Sequence, residues 1–207
     1  VFYVQQAMKV PWVEPEDIEL FAKRGATPVH NPASNLRIGS GFAPVKEYIR
    51  AGVKVALGTD GAASNDGQNM FDAVRLATLI HNQAGSDFNH WIAPQQALAM
   101  ATRNGARAFG IDAGAIAPGK LADIVLLRRD TVAFTPLNDV LGQIVFCENG
   151  ASVDSVLVDG EVVVEARRLT KVDEAEVLRL ATQARLRLDP SIAREFAAAK
   201  TMEPSLT

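Results

Sequence analysis

The stretch richest in chemical content is Leu57-Gly58-Thr59-Asp60-Gly61-Ala62-Ala63-Ser64-Asn65-Asp66. An apolar run leads straight into Thr-Asp-Gly, which places Asp60 at the C-terminal end of a strand, where α/β folds gather their active sites. A carboxylate there can bind a divalent cation and take a proton from water. Gly61 lets the chain turn sharply, and Ser64, Asn65 and Asp66 can orient groups around the carboxylate. The same residues also suit a plain turn, because Asp often caps one through its side chain. A second polar segment, His30-Asn31-Pro32-Ala33-Ser34-Asn35-Leu36-Arg37-Ile38-Gly39-Ser40-Gly41, follows another short strand. It either lines a pocket or forms a well-bonded turn. His81 lies in a helical run and His90 in a Gly-Ser-Asp loop, so both read as structural or exposed.

The elements that must position these loops are legible from spacing. Glu16 to Gly25 reads as a helix ending at a C-cap glycine, and Ala26 to His30 as a short strand, with Pro28 awkward in a central one. Pro44 to Gly52 is a second helix with Pro near its start and Gly at its end, and Val53 to Gly58 a buried strand. Asn69 to Ala84 has apolar residues at helical spacing, and Pro94 to Phe109 is expected to be one further helix. Strands separated by helices in this way imply a mainly parallel sheet, open or closed into a barrel. Beyond Ile111 the character changes. A Pro-Gly turn at Pro118-Gly119 precedes a strand at Leu121 to Leu127, and Ser155 to Val164 is a hairpin turning at Asp159-Gly160. Gln143 to Cys147 reads as strand-like, with a buried inert thiol. Val172 to Leu188 and Ser191 to Lys200 read as two helices.

Composition narrows the function classes. Hydrophobic residues make up 48% of the 207, charged residues 22%, and the formal net charge is −3. That balance argues against a nucleic-acid partner, which would call for a basic face. A single cysteine, Cys147, rules out both an intrachain disulfide and a cysteine-based zinc site. No apolar stretch approaches the roughly 20 residues needed to span a bilayer, and no secretory signal is visible. A cytoplasmic protein handling a small molecule is expected. Val1-Phe2-Tyr3-Val4 reads as a strand already under way with no initiator Met, so the chain is expected to be a piece of something longer.

As an ordered set, several segments resemble the deaminase and chlorohydrolase branch of the amidohydrolase superfamily, which includes methylthioadenosine/S-adenosylhomocysteine deaminases, guanine deaminases and triazine hydrolases. The matching residues are His30 to Arg37, Ser40-Gly41-Phe42-Ala43-Pro44-Val45, Leu57 to Gly61 with Ala63-Ser64-Asn65-Asp66, Ala101-Thr102 through Ala106 to Gly110, Gly114 to Asp123, and Val158-Asp159-Gly160. The resemblance implies an α/β fold: the C-terminal portion of a (β/α)8 TIM barrel over 1–112, part of a small β-sandwich domain over 113–170, and C-terminal helices over 171–207. It implies that Asp60 ligates a single Zn2+ (or Fe2+) ion and takes a proton from the attacking water, with Asn31, Ser34, Asn35, Ser64 and Asn65 shaping the substrate rim. It leaves His30 outside the metal site. The implied reaction is hydrolysis of a non-peptide C–N bond, deaminating a nitrogen heterocycle through metal-activated water. The implied partners are a small-molecule heterocyclic substrate and further copies of the chain as a homo-oligomer, with no nucleic acid and no membrane.

Two features depart from that pattern. The family's His-x-His pair and the histidine after strand five are absent, and an ungapped register puts Lys9 where the histidine after strand six belongs. A lysine, with an ordinary pKa near 10.4, would set a cation beside a cation. One alternative is therefore a truncated, catalytically incompetent remnant acting only in self-association. A nucleotide-binding α/β module is a second alternative, supported only by the glycines, since neither G-x-G-x-x-G nor a P-loop is present.

Overall fold

The computed structural model describes residues 3–5, 13–84 and 87–200. Two sheets organise it, and their topology separates the two sequence regimes. The first is parallel, in the order β1 (Tyr3–Gln5), β2 (Thr27–His30), β3 (Ala56–Leu57). Helix α1 (Pro15–Arg24) links β1 to β2, and α2 (Pro32–Arg37) with α3 (Val45–Arg50) links β2 to β3. Parallel neighbours need such crossovers. Pro15 starts α1 and Gly25 ends it in the left-handed conformation at φ 64°, the cap that glycine adopts without a Cβ penalty. Pro28 does sit in a central strand, registered with Val4. The expected strand at Val53 to Gly58 is regular over two residues only, although Val53, Val55, Ala56 and Leu57 are all buried.

Helix α4 (Met70–Leu79) runs on as a 3-10 turn, Ile80–Ala84, and Asn69 caps it by accepting the Phe71 N–H. The single helix expected from Pro94 to Phe109 is two: α5 (Pro94–Ala101) and α6 (Arg103–Phe109), broken at Thr102 with φ −121° and ψ −96°. Two contacts explain the break. The Asn104 amide donates to the Val55 carbonyl at 2.8 Å, drawing α6 onto the lead-in to β3. Gly114 packs so closely that a Cβ there would stand 2.5 Å from Arg103 Cα. The core lies between the parallel sheet and these helices, centred on Val45, Tyr48, Val55, Ala77, Ala97 and Met100.

The second sheet is antiparallel, β4 (Ile124–Leu127), β5 (Val153–Val158), β6 (Glu161–Glu165) and β7 (Arg168–Leu169) in that order. The hairpin turn at Asp159 and Gly160 has φ of 50° and 80°, the paired positive angles of a tight type I′ turn. Between β4 and β5 the chain leaves this sheet for α7 (Val140–Phe146), which packs on α4 and α5. The strand expected at Gln143 to Cys147 is thus mostly helix, and Cys147 is exposed rather than buried. A short apolar run does not by itself distinguish a strand from a buried helix turn. Here Val145, fully buried against the core, decides for the helix.

The turn after α7 is locked by Glu148, whose Oε1 accepts the N–H groups of Asn149, Gly150 and Ser152. Burial pushes this carboxyl up, and the Ser152, Gly150 and Asn149 hydrogen bonds outweigh it to leave it below the ordinary value. The two helices expected in the tail are a single element, α8 (Glu174–Lys200), with Pro190 inside it. Among the described residues no helix is long and apolar enough to cross a membrane.

Candidate functional site

The C-terminal ends of β2 and β3 lie side by side, His30 registered with Leu57, so the loops that follow them share one rim. Asp60 leaves β3 in the left-handed conformation, φ 63°, which Asp and Asn tolerate better than other non-glycine residues. Its Oδ2 accepts two hydroxyls: Ser34 Oγ at 2.8 Å from α2, and Ser64 Oγ at 3.0 Å from the loop after β3. The Ser34 hydroxyl, the Gly61 N–H and the Ser64 hydroxyl together hold the carboxyl below the ordinary aspartate value. Hydrogen bonds to the charged form have that effect. Asp60 is therefore an ionised, half-buried group at neutral pH, fixed by α2 and by the loop after β3.

The loop after β3 is a built turn. The Ser64 and Asn65 N–H groups both donate to the Gly61 carbonyl, and the Asn65 amide reaches back to the Thr59 carbonyl at 2.9 Å. An exposed ion pair between Arg37 and Asp66, 3.1 Å, joins the end of α2 to this loop. On the other side, Gly58 makes room for Asn31, because a Cβ at Gly58 would stand 2.5 Å from Asn31 Oδ1.

Of the five residues expected to shape the rim, Ser34 and Ser64 bond Asp60 directly and Asn65 holds the turn behind it. Asn31, Ser34 and Asn35 are buried. The Asn31 Nδ2 and both amide atoms of Asn35 have no hydrogen-bond partner among the described residues. Buried polar atoms are normally paired, so these three mark a wall suited to polar company. They also make a prediction about stability. Because the Asn35 side-chain amide makes no bond among the described residues, Asn35→Leu is expected to change the unfolding free energy by less than about 1 kcal/mol. A loss above roughly 3 kcal/mol in urea titration would mean that the amide belongs to a structural network.

The sequence contains three histidines, and none reaches Asp60 in a hydrogen bond or ion pair. His30 and His81 face each other, Nε2 to Nε2 at 3.3 Å, and both are buried. His90 pairs with Asp87 on the surface at 3.2 Å. Sequence spacing gave no hint that His81 meets His30, since the two lie 51 residues apart on separate elements. Lys9 lies outside the described residues. Among the described residues no three or more His, Cys, Asp or Glu side chains gather as ligands for a metal ion. A catalytic zinc takes at least three protein ligands. Asp60 supplies one carboxylate, so the described residues do not by themselves fit that ion.

Comparison with known proteins gives this arrangement a lineage. Over 163 residues the chain is 42% identical to 5-methylthioadenosine/S-adenosylhomocysteine deaminase of Acetivibrio thermocellus, covering 78% of this chain and 38% of that protein. It is 40% identical over 173 residues to 5'-deoxyadenosine deaminase of Methanothermobacter thermautotrophicus, covering 84% and 40% respectively. Among solved structures, an adenosine deaminase from Xanthomonas campestris with bound zinc superposes with a TM-score of 0.84 at 33% identity, over 91% of this chain and 42% of that one. Atrazine chlorohydrolase from Arthrobacter aurescens, complexed with zinc, gives 0.81 at 33% identity over 87% and 40%. The chain thus spans about two fifths of the length of the curated relatives it matches. The amidohydrolase family model matches residues 4–163, which takes in both the parallel sheet that carries Asp60 and most of the antiparallel sheet beyond it, and the chain belongs to the amidohydrolase family.

Proposed function

We propose that this chain is the Asp60-bearing part of a metal-dependent hydrolase that deaminates a nitrogen heterocycle. In this reading residues 1–112 are the C-terminal portion of a (β/α)8 barrel, 113–170 part of a composite β-domain and 171–207 a helical tail, and the protein acts in the cytoplasm. Asp60 is the carboxylate that would contribute to a zinc (or iron) site and accept a proton from water. Asn31, Ser34, Asn35, Ser64 and Asn65 shape the rim on which the heterocycle rests. The observation that carries this is the convergence of two serine hydroxyls on one oxygen of Asp60 at the C-terminal mouth of parallel strands. That mouth is where α/β enzymes place their chemistry.

Two hydroxyl donors keep the carboxylate charged and fix its orientation at neutral pH. The names of the relatives point to adenine nucleosides with a modified 5' position as the first substrates to try. A hybrid tests the reading: the matched 163 residues of the Acetivibrio deaminase are replaced by the corresponding part of this chain. Ammonia release from 5'-methylthioadenosine, S-adenosylhomocysteine or 5'-deoxyadenosine is expected. A folded, zinc-loaded hybrid silent on these and on a pterin and triazine panel would sink it.

A second reading concerns the 207 residues alone, namely that they are catalytically incompetent. It is favoured by the absence, among the described residues, of further ligand side chains gathered about Asp60, and by a histidine pair that is buried and occupied with itself. Turnover by the isolated chain that disappears in Asp60→Asn would defeat it.

A further inference from the structure

Helix α8 runs for 27 residues, about 40 Å, and from Glu174 to Leu188 every side chain is exposed. Val177, Leu178, Leu180, Leu186 and Leu188 are among them. A helix in water draws most of its stability from burying an apolar face, and this one buries none over that stretch. At 100° per residue, Val177, Leu180, Ala181, Ala184 and Leu188 fall on one stripe about 100° wide. Charge is divided along the flanks of this stripe: Glu174 and Glu176 stand at its start and Arg185 and Arg187 near its end, while Arg179 falls on the opposite side of the helix.

We propose that this stripe docks a second copy of the chain, the two α8 helices packing antiparallel ahead of Pro190. A crossing centred between Leu180 and Ala181 sets Val177 against Ala184 of the second copy, and Leu180 against its Ala181. Large then meets small in each layer, so the helices approach closely. The same centring brings Glu174 to Arg185 and Glu176 to Arg187 across the seam, one pair on each flank. Twofold symmetry repeats both pairs, as an isologous contact requires. Parallel pairing would instead hold like charges at the same height. Glu176 and Arg185 already pair within the helix, with Arg179 and Asp189. Exposed ion pairs of that kind are weak and give way readily. Pro190 bounds the contact, because it removes a helical hydrogen bond and bends the axis.

The test is sedimentation velocity on the 207-residue chain over a concentration series, with two charge variants. Glu174→Arg with Glu176→Arg makes all four flank positions basic, and Arg185→Glu with Arg187→Glu makes them all acidic. Each variant alone is expected to dissociate about a hundredfold more readily than the original chain. An equimolar mixture of the two is expected to recover dimer. A monomeric original chain, or variants that associate as before, would overturn the proposal. Orientation is read by disulfide trapping with Cys147 replaced by Ser. Val177→Cys and Ala184→Cys chains are expected to cross-link when mixed and not singly. Cross-linking of Val177→Cys with itself would refute the antiparallel arrangement.

Discussion

Asp60→Asn in the deaminase hybrid is expected to lower kcat/KM for ammonia release about a thousandfold, with folding retained. Asn is the informative replacement because of the backbone. At φ 63° an alanine would be strained, whereas asparagine is among the few residues that accept the left-handed conformation. Its carbonyl oxygen can still take the Ser34 and Ser64 hydroxyls, which stand 2.8 and 3.0 Å from Oδ2 in the parent. What is lost is the negative charge and the ability to accept a proton. The two serines make a graded control. Ser34→Ala removes a fully buried donor to the carboxylate, and is expected to cost less than the loss of the carboxylate itself. Circular dichroism and zinc content of the Asn variant separate lost chemistry from lost structure. An Asn variant retaining more than about a tenth of the parent rate would remove Asp60 from the proton transfer.

Asp60 was legible from sequence because two signals coincide there, an apolar run and an immediate Thr-Asp-Gly. The polar segment from His30 was legible as a rim placed straight after a strand, but its turn formers concealed that Pro32–Arg37 folds as helix α2 and not as a loop. Neither pattern states which partner a hydroxyl will choose. Ser34 lies 26 residues before Asp60, and only the pairing of β2 with β3 brings the two loops together. The His30–His81 contact was invisible on the same grounds. His81 sits at the end of a helical run whose own spacing says nothing of β2. The break at Thr102 comes from Gly114 and from Asn104 reaching Val55, tertiary contacts that override a continuous helical pattern. The thiol of Cys147 was misplaced because the five uncharged residues Gln143 to Cys147 suit a strand and a buried helix turn equally. Turn chemistry read most reliably: Gly25 and Asp159-Gly160 sit at positive φ, where local sterics alone decide.

The stability of the chain is expected to fall steeply between pH 6.5 and about 4, chiefly through the buried histidine pair. Burial, with His81 adding to it, pushes His30 down to about 3. Burial and Lys46 push His81 down to about 4, against the opposing pull of Glu47. The contact at 3.3 Å needs one ring to donate at Nε2 and the other to accept there, so protonating both sets two N–H groups against each other. In the unfolded chain each imidazole titrates near its ordinary 6.5. Above that pH neither state binds the proton and the full stability is present. Below it the unfolded chain takes up protons that the folded chain refuses, and stability is lost as pH falls towards the folded values. Each histidine contributes a slope of about 1.4 kcal/mol per pH unit within this window, so the pair gives roughly 2.7. Asp60 and Glu148, both held below their ordinary values, act in the same direction only where carboxylates titrate, nearer pH 4. Urea unfolding at pH 6.0, 5.5 and 5.0 therefore isolates the histidines. His81→Gln keeps a polar side chain of similar size and should halve the slope while lowering stability at pH 7, because His30 Nε2 loses its partner. A flat profile from pH 6 to 5 would mean that one of the rings reaches water in the folded chain, and that the pair does not close the end of β2 against the turn following α4.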